Sequence, residues 1–116
     1  MIKNDAGSIK NLGRDQDAAM SEAEWTREVI AYAKQQGWMV AHFRPAQVRS
    51  GRFITAMSGD VGYPDLTMAR DEVVLFVELK VGRNKPTDAQ LRWASELPDY
   101  MVWYPKDRDS AWRLLA

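Results

Sequence analysis

The fold turns on residues 66–80, Leu66-Thr67-Met68-Ala69-Arg70-Asp71-Glu72-Val73-Val74-Leu75-Phe76-Val77-Glu78-Leu79-Lys80. Two apolar runs, Leu66 to Ala69 and Val73 to Lys80, flank the polar triplet Arg70-Asp71-Glu72. The simplest reading is an antiparallel hairpin. The second run is apolar on both faces until its end, the pattern of a central strand. It closes on Glu78-Leu79-Lys80, and strand alternation puts Glu78 and Lys80 on one face with Leu79 on the other. A carboxylate and an ammonium on a buried strand are costly to desolvate unless paired or bound to a metal. The triplet therefore reads either as a solvated strand end with an ordinary ion pair or as part of a metal site.

On the N-terminal side, Pro64-Asp65 heads the first strand behind Gly62. The start of one hairpin strand lies near the end of the other, so Asp65 and Glu78 can converge. Alone, Asp65 reads equally as an Asx-turn residue after proline. Two carboxylates with a backbone carbonyl make an oxygen-rich site that suits octahedral Mg²⁺ or Mn²⁺ better than zinc. Lys80 is then placed to orient, and help deprotonate, an attacking water. This set suits phosphodiester hydrolysis, which needs neither cysteine nor histidine.

Further upstream, Ser21-Glu22-Ala23-Glu24 is a capping box that opens a helix. Glu22, Trp25, Val29 and Ala33 recur at i, i+3, i+7 and i+11 along one stripe, flanked by Ile30 and ending near Gln36-Gly37. Glu22 sits within that stripe, whereas Glu24 and Glu28 fall on the opposite face, where solvent is expected. Glu22 has two readings: a carboxylate favoured by the helix dipole, or a group that completes the site through a metal-bound water or by holding Lys80. Residues 38–43 read as a strand. Residues 44–63 are broken by Pro45, Ser50-Gly51, Gly59 and Gly62, with a short hairpin about Ser50-Gly51. A loop of this length in a compact domain is usually functional.

Downstream, Thr87 and Gln90 form a second capping box before a helix that Pro98 stops. A strand over Tyr100 to Tyr104 and a short helix from Ser110 to Leu115 complete the order. Helix, strand, loop, strand, strand, helix, strand, helix is the order of a small α/β sandwich with a mixed sheet flanked by helices. Residues 1–20 carry mixed charge, Gly7 and Gly13 without apolar period, and read as a flexible tail on a domain spanning 21–116.

Composition narrows the chemistry. The 116 residues amount to one domain. The absence of cysteine excludes disulfides, Cys-ligated zinc, iron–sulfur clusters and thiol nucleophiles, and a single histidine excludes a His-rich metal cage. The longest apolar run, Val73 to Val77, is far short of a membrane span, and the polar N-terminus has no signal-peptide core, so a soluble cytoplasmic protein is expected. Sixteen basic residues balance sixteen acidic ones, so nucleic-acid binding has to come from local arrangement. Between Glu28 and Asp60 there is no acidic residue, while Lys34, Arg44, Arg49 and Arg52 occur with His42, Phe43 and Phe53 among them. That segment can face phosphates without self-repulsion; for any one of these side chains a solvated loop is an equal reading. Arg83 and Lys85 extend the basic surface after Lys80. His42 is favoured as a substrate contact, and the five tryptophans as core or interface.

Gly62-Tyr63-Pro64-Asp65, the twelve residues between Asp65 and Glu78, Glu78-Leu79-Lys80 and Gln90 together resemble the PD-(D/E)xK nuclease superfamily, specifically its small VRR-NUC branch. The resemblance runs from about Ser21 to the C-terminus. Residues 41–46 and Gly59-Asp60 are similar to a loop of phage-encoded stand-alone members, which implies the cytoplasm of a bacterial host. It implies that Asp65, Glu78 and the Leu79 carbonyl hold Mg²⁺ or Mn²⁺, that Lys80 is the catalytic lysine, that Glu22 is the acidic residue of the first helix, and that Gln90 is the glutamine after the motif. Gln90 is equally explained by its capping box. The implied activity is endonucleolytic cleavage of branched DNA such as four-way junctions, by a homodimer. The rivals are an unspecific nickase, a site-specific enzyme and a catalytically silent nucleic-acid-binding module.

Overall fold

In the computed structural model both capping boxes close as their residues dictate. Ser21 Oγ accepts the Glu24 N–H while the Glu24 carboxylate accepts the Ser21 N–H, each at 3.0 Å, and helix α1 (Glu22–Gln35) follows. The structure describes residues 20–43 and 58–116, with the backbone of 46–47 and 53–54; of the expected tail over 1–20, residues 1–19 lie outside the described residues, and Met20 is partly buried against the core. Gly37, with φ of +89°, turns the chain out of α1 into strand β1 (Met39–His42). Two-residue strands β2 (Ala46–Gln47) and β3 (Phe53–Ile54) pair antiparallel, as a hairpin about Ser50-Gly51 requires, although that turn lies outside the described residues.

Strands β4 (Leu66–Arg70) and β5 (Val73–Leu79) pair antiparallel from Leu66↔Val77 to Arg70↔Val73. Asp71 and Glu72 both take positive φ, +51° and +67°, which is the mirror-image turn whose twist matches a two-residue hairpin. Helix α2 (Asp88–Glu96) then crosses over to strand β6 (Tyr100–Trp103), which lies parallel to β5. The sheet order β1-β4-β5-β6 makes β5 internal and the sheet mixed, as expected. The terminal helix starts earlier than its sequence pattern suggests: a 3₁₀ turn at Pro105–Asp107 runs into α3 (Arg108–Leu115), and the Asp107 carboxylate accepts the Tyr104 N–H at 2.9 Å.

One face of the sheet, carrying Leu66, Met68, Leu75, Val77 and Leu79, is buried with Trp25, Val29 and Ala33 of α1 and Ala111 and Leu115 of α3. The buried indoles keep hydrogen bonds: Trp25 Nε1 donates to the Trp103 carbonyl at 3.0 Å and Trp38 Nε1 to the Leu115 carbonyl at 2.9 Å. Arg70 stacks its guanidinium 4.6 Å from the Trp38 ring and donates to the carbonyls of Gln36 and Leu115. One cation thereby satisfies the C-terminal ends of both α1 and α3. On the opposite face Tyr63 packs edge-on against both Phe76 and Trp93, tying α2 to the sheet.

Glu28 departs from expectation. It is half-buried and accepts hydrogen bonds from Arg108 of α3, whose guanidinium also lies over the Trp25 ring. The period of α1 alone marks the face turned from the sheet, and a second helix covers part of that face. Among the described residues no helix is long and apolar enough to cross a membrane.

Candidate functional site

Asp65 and Glu78 continue the β4–β5 register by one step beyond Leu66↔Val77. Asp65 is pinned from both sides: its Oδ2 accepts the Leu79 N–H at 2.8 Å, and its carbonyl accepts the Phe43 N–H of the neighbouring edge at 3.1 Å. Pro64, fully buried, fixes the approach. Glu78 has 0% exposure and Lys80 9%, so the end of β5 is not a solvated strand end. Neither Glu78 oxygen has a hydrogen-bond partner among the described residues. Its carboxyl lies beside that of Asp65. Burial first, then the Asp65 carboxyl, push Glu78 up to about 9, against the opposing pull of Lys80.

Glu22 joins this group from α1. It is half-buried, and its pKa is raised by burial and then by Asp65, while Lys80 lowers it. Glu22, Asp65 and Lys80 thus share one electrostatic environment. The inward position read from the α1 stripe is observed, while Glu24 remains exposed.

Tyr100 and Arg27 were not singled out by the sequence. The Tyr100 hydroxyl is buried without a hydrogen-bond partner among the described residues. Burial, then Glu78 and Asp65, push it up to about 12. Strand pairing held the signal: Tyr100 pairs with Phe76, two residues before Glu78 on the same face, but only once β6 is known to lie beside β5. Arg27 lies with Glu22, His42 and Asp65 around a cavity of about 220 Å³ between α1 and β1.

The Gln90 side-chain oxygen accepts the Thr87 N–H at 2.8 Å while Gln90 N–H reaches Thr87 Oγ1, so the capping box accounts for it. Arg83 and Lys85 are exposed in the segment after Lys80. Arg44, Arg49 and Arg52 lie outside the described residues.

Among the described residues no three His, Cys, Asp or Glu side chains gather into a metal cage. Two carboxylates nevertheless fit a hard divalent ion, since Mg²⁺ is usually held by one or two carboxylates and keeps several waters. The Glu78 oxygens, without a hydrogen-bond partner among the described residues and beside a second carboxyl, are chemically suited to a cation. Such an ion would be held by Asp65 and Glu78, with Glu22 reaching it through water.

One consequence is testable without any ion. Glu78 titrates near 4.5 when unfolded and up to about 9 when folded, so between those values the folded state holds a proton the unfolded state has lost. Its stability contribution is complete below about pH 4.5 and declines as pH rises toward about 9, by at most about 1.4 kcal/mol per pH unit for one proton. Glu22 acts in the same direction. Urea unfolding in chelator across this window is expected to show falling stability for the wild type and a flatter profile for Glu78→Gln; a wild-type profile that rises with pH contradicts the assignment.

Comparisons with protein-family models, curated proteins and solved structures find no match to this chain.

Proposed function

We propose that the chain is a Mg²⁺- or Mn²⁺-dependent endonuclease of the VRR-NUC type that hydrolyses phosphodiester bonds in branched DNA. The observation that carries this reading is the juxtaposition of the Asp65 and Glu78 carboxyls at the open end of the β4–β5 hairpin, where neither Glu78 oxygen has a hydrogen-bond partner among the described residues. The choice of branched DNA, and of a homodimer that brings two sites to two strands, rests on the motif resemblance.

When bound, the divalent ion supplies charge neutralisation and lowers the pKa of a coordinated water. The chain's own residues do the rest. Asp65, oriented by the Leu79 N–H, and Glu78, held in the sheet, would provide the cradle, with Glu78 giving up its proton as the ion binds. Lys80, whose ammonium has donors only, orients the attacking water and favours loss of its proton to solvent by stabilising the hydroxide left behind. Glu22 sets the position of Lys80 or of a water between them. Water adds in line to phosphorus as the bridging P–O bond breaks, and the departing oxygen takes a proton from solvent, which balances the one the attacking water gives up.

The test is cleavage of an end-labelled four-way junction and its matched linear duplex with Mg²⁺, Mn²⁺ or chelator. Metal-dependent cutting selective for the junction is expected. Equal cutting of both DNAs retains the nuclease and discards junction selectivity, and binding without cutting in every metal replaces the nuclease with a silent binding module.

A further inference from the structure

The cavity between α1 and β1 opens beside Asp65, and the roles given above leave it unused. At about 220 Å³ it is smaller than the roughly 300–1,000 Å³ of typical small-molecule pockets. Among the described residues no aromatic ring other than His42 lines it, so they offer no broad platform for a stacked base. Its lining instead combines two carboxylates, Glu22 and Asp65, with Arg27, His42 and the aliphatic Ile30. The Thr26 hydroxyl is already committed to the Glu22 carbonyl at 2.7 Å, which adds a methyl to the apolar part of the lining. Arg27 follows Glu22 by five residues, or about 7.5 Å of helix rise.

Arg27 is exposed, and its charge acts on the exposed Glu24 carboxylate one turn earlier, an interaction that solvent screens and that leaves the guanidinium accessible. His42 faces α1 from β1, since it pairs with Leu66 and Leu66 belongs to the core face. A cation beside an apolar floor, in one cavity with the Asp65 carboxylate, matches the alternation of phosphate and sugar along a nucleic-acid strand.

We propose that this cavity seats the sugar-phosphate unit adjoining the scissile bond, and that Arg27 is the residue that contacts its phosphate, with His42 beside it. The inference rests on the nuclease reading of Asp65 and Glu78. It also adds a specific substrate contact to that reading. Because Arg27 is exposed, its replacement leaves the core intact, which circular dichroism checks.

The experiment compares wild type, Arg27→Ala and Arg27→Lys in two assays: binding of labelled junction DNA across a salt series in chelator, and cleavage in Mg²⁺ or Mn²⁺. Arg27→Ala is expected to weaken binding about tenfold and to reduce the salt slope by about one phosphate's worth. Arg27→Lys is expected to keep the slope. In cleavage, the half-saturating DNA concentration for Arg27→Ala rises about tenfold while the rate at saturation changes less than about threefold. Unchanged affinity and slope in Arg27→Ala overturn the proposal, even if the wild type cuts DNA and the nuclease reading survives. Conversely, a wild type that binds without cutting in both Mg²⁺ and Mn²⁺ ends the nuclease reading and with it the placement of this cavity beside a scissile bond. A wild type that binds no DNA ends both.

Discussion

Asp65→Ala is expected to lower the cleavage rate by at least about 10³-fold, since one of two anionic anchors for the ion is lost together with its transition-state charge stabilisation. DNA binding is expected to hold or tighten, because removing a carboxylate reduces repulsion toward phosphate. The fold pays a smaller cost. Asp65 Oδ2 accepts the Leu79 N–H at 2.8 Å, and alanine leaves that donor without its partner, a loss of about 1–3 kcal/mol. Part of this is offset, because the Asp65 carboxyl also crowds Glu78. Asp65→Asn separates the two effects: it keeps an acceptor for the Leu79 N–H while removing the charge, so it should fold at least as well as wild type and still fail to cut. Single-turnover cleavage and electrophoretic binding of both variants provide the check. Turnover by either variant comparable with wild type at matched purity sinks the metal-anchoring role of Asp65.

Much of this arrangement is legible in the sequence because it depends on short-range rules. Capping boxes are local hydrogen-bond exchanges, and both form at the residues that encode them, Ser21 with Glu24 and Thr87 with Gln90. The β4–β5 hairpin follows from two apolar runs around a polar triplet, and its register alone brings Asp65 toward Glu78. What is not legible depends on which elements meet. Glu28 is covered because α3 packs along α1, and nothing in the α1 period encodes a second helix. Tyr100 reaches the acidic pair only through the parallel β5–β6 pairing, a contact made across the whole α2 crossover. Arg27 falls outside the α1 stripe, beyond Ile30, where the pattern does not distinguish a cavity wall from solvent. The same limit applies to the burial of Glu78: alternation places it on a face, while its loss of all exposure depends on what packs over that face.

The approach to Asp65 is itself under tight steric control, and Gly62→Ala is expected to reveal it. Gly62 has φ of +94°, and a Cβ built there comes within 2.6 Å of the Ala89 carbonyl carbon at the start of α2. That neighbour is backbone in a helix, so it cannot rotate away. Gly59 offers the matched control, with φ of +100° and nothing within 4 Å of an added Cβ. Both substitutions incur left-handed backbone strain of about 1–3 kcal/mol. Only Gly62→Ala adds overpacking of about 1–3 kcal/mol, a large share of a stability usually near 5–15 kcal/mol. Relief requires α2 to move, and Trp93 of α2 donates to the Val61 carbonyl at 3.1 Å and packs on Tyr63, next to Pro64-Asp65. Displacement therefore passes to the Asp65 carboxylate and its bond to the Leu79 N–H. A shift of about 1 Å at a reacting centre can cost about 10²-fold in rate. Gly62→Ala should consequently lose both thermal stability and most cleavage, while Gly59→Ala loses some stability and keeps its activity. Melting curves and cleavage rates for the pair decide the matter: if the two variants match in both, the close approach of α2 does not position Asp65.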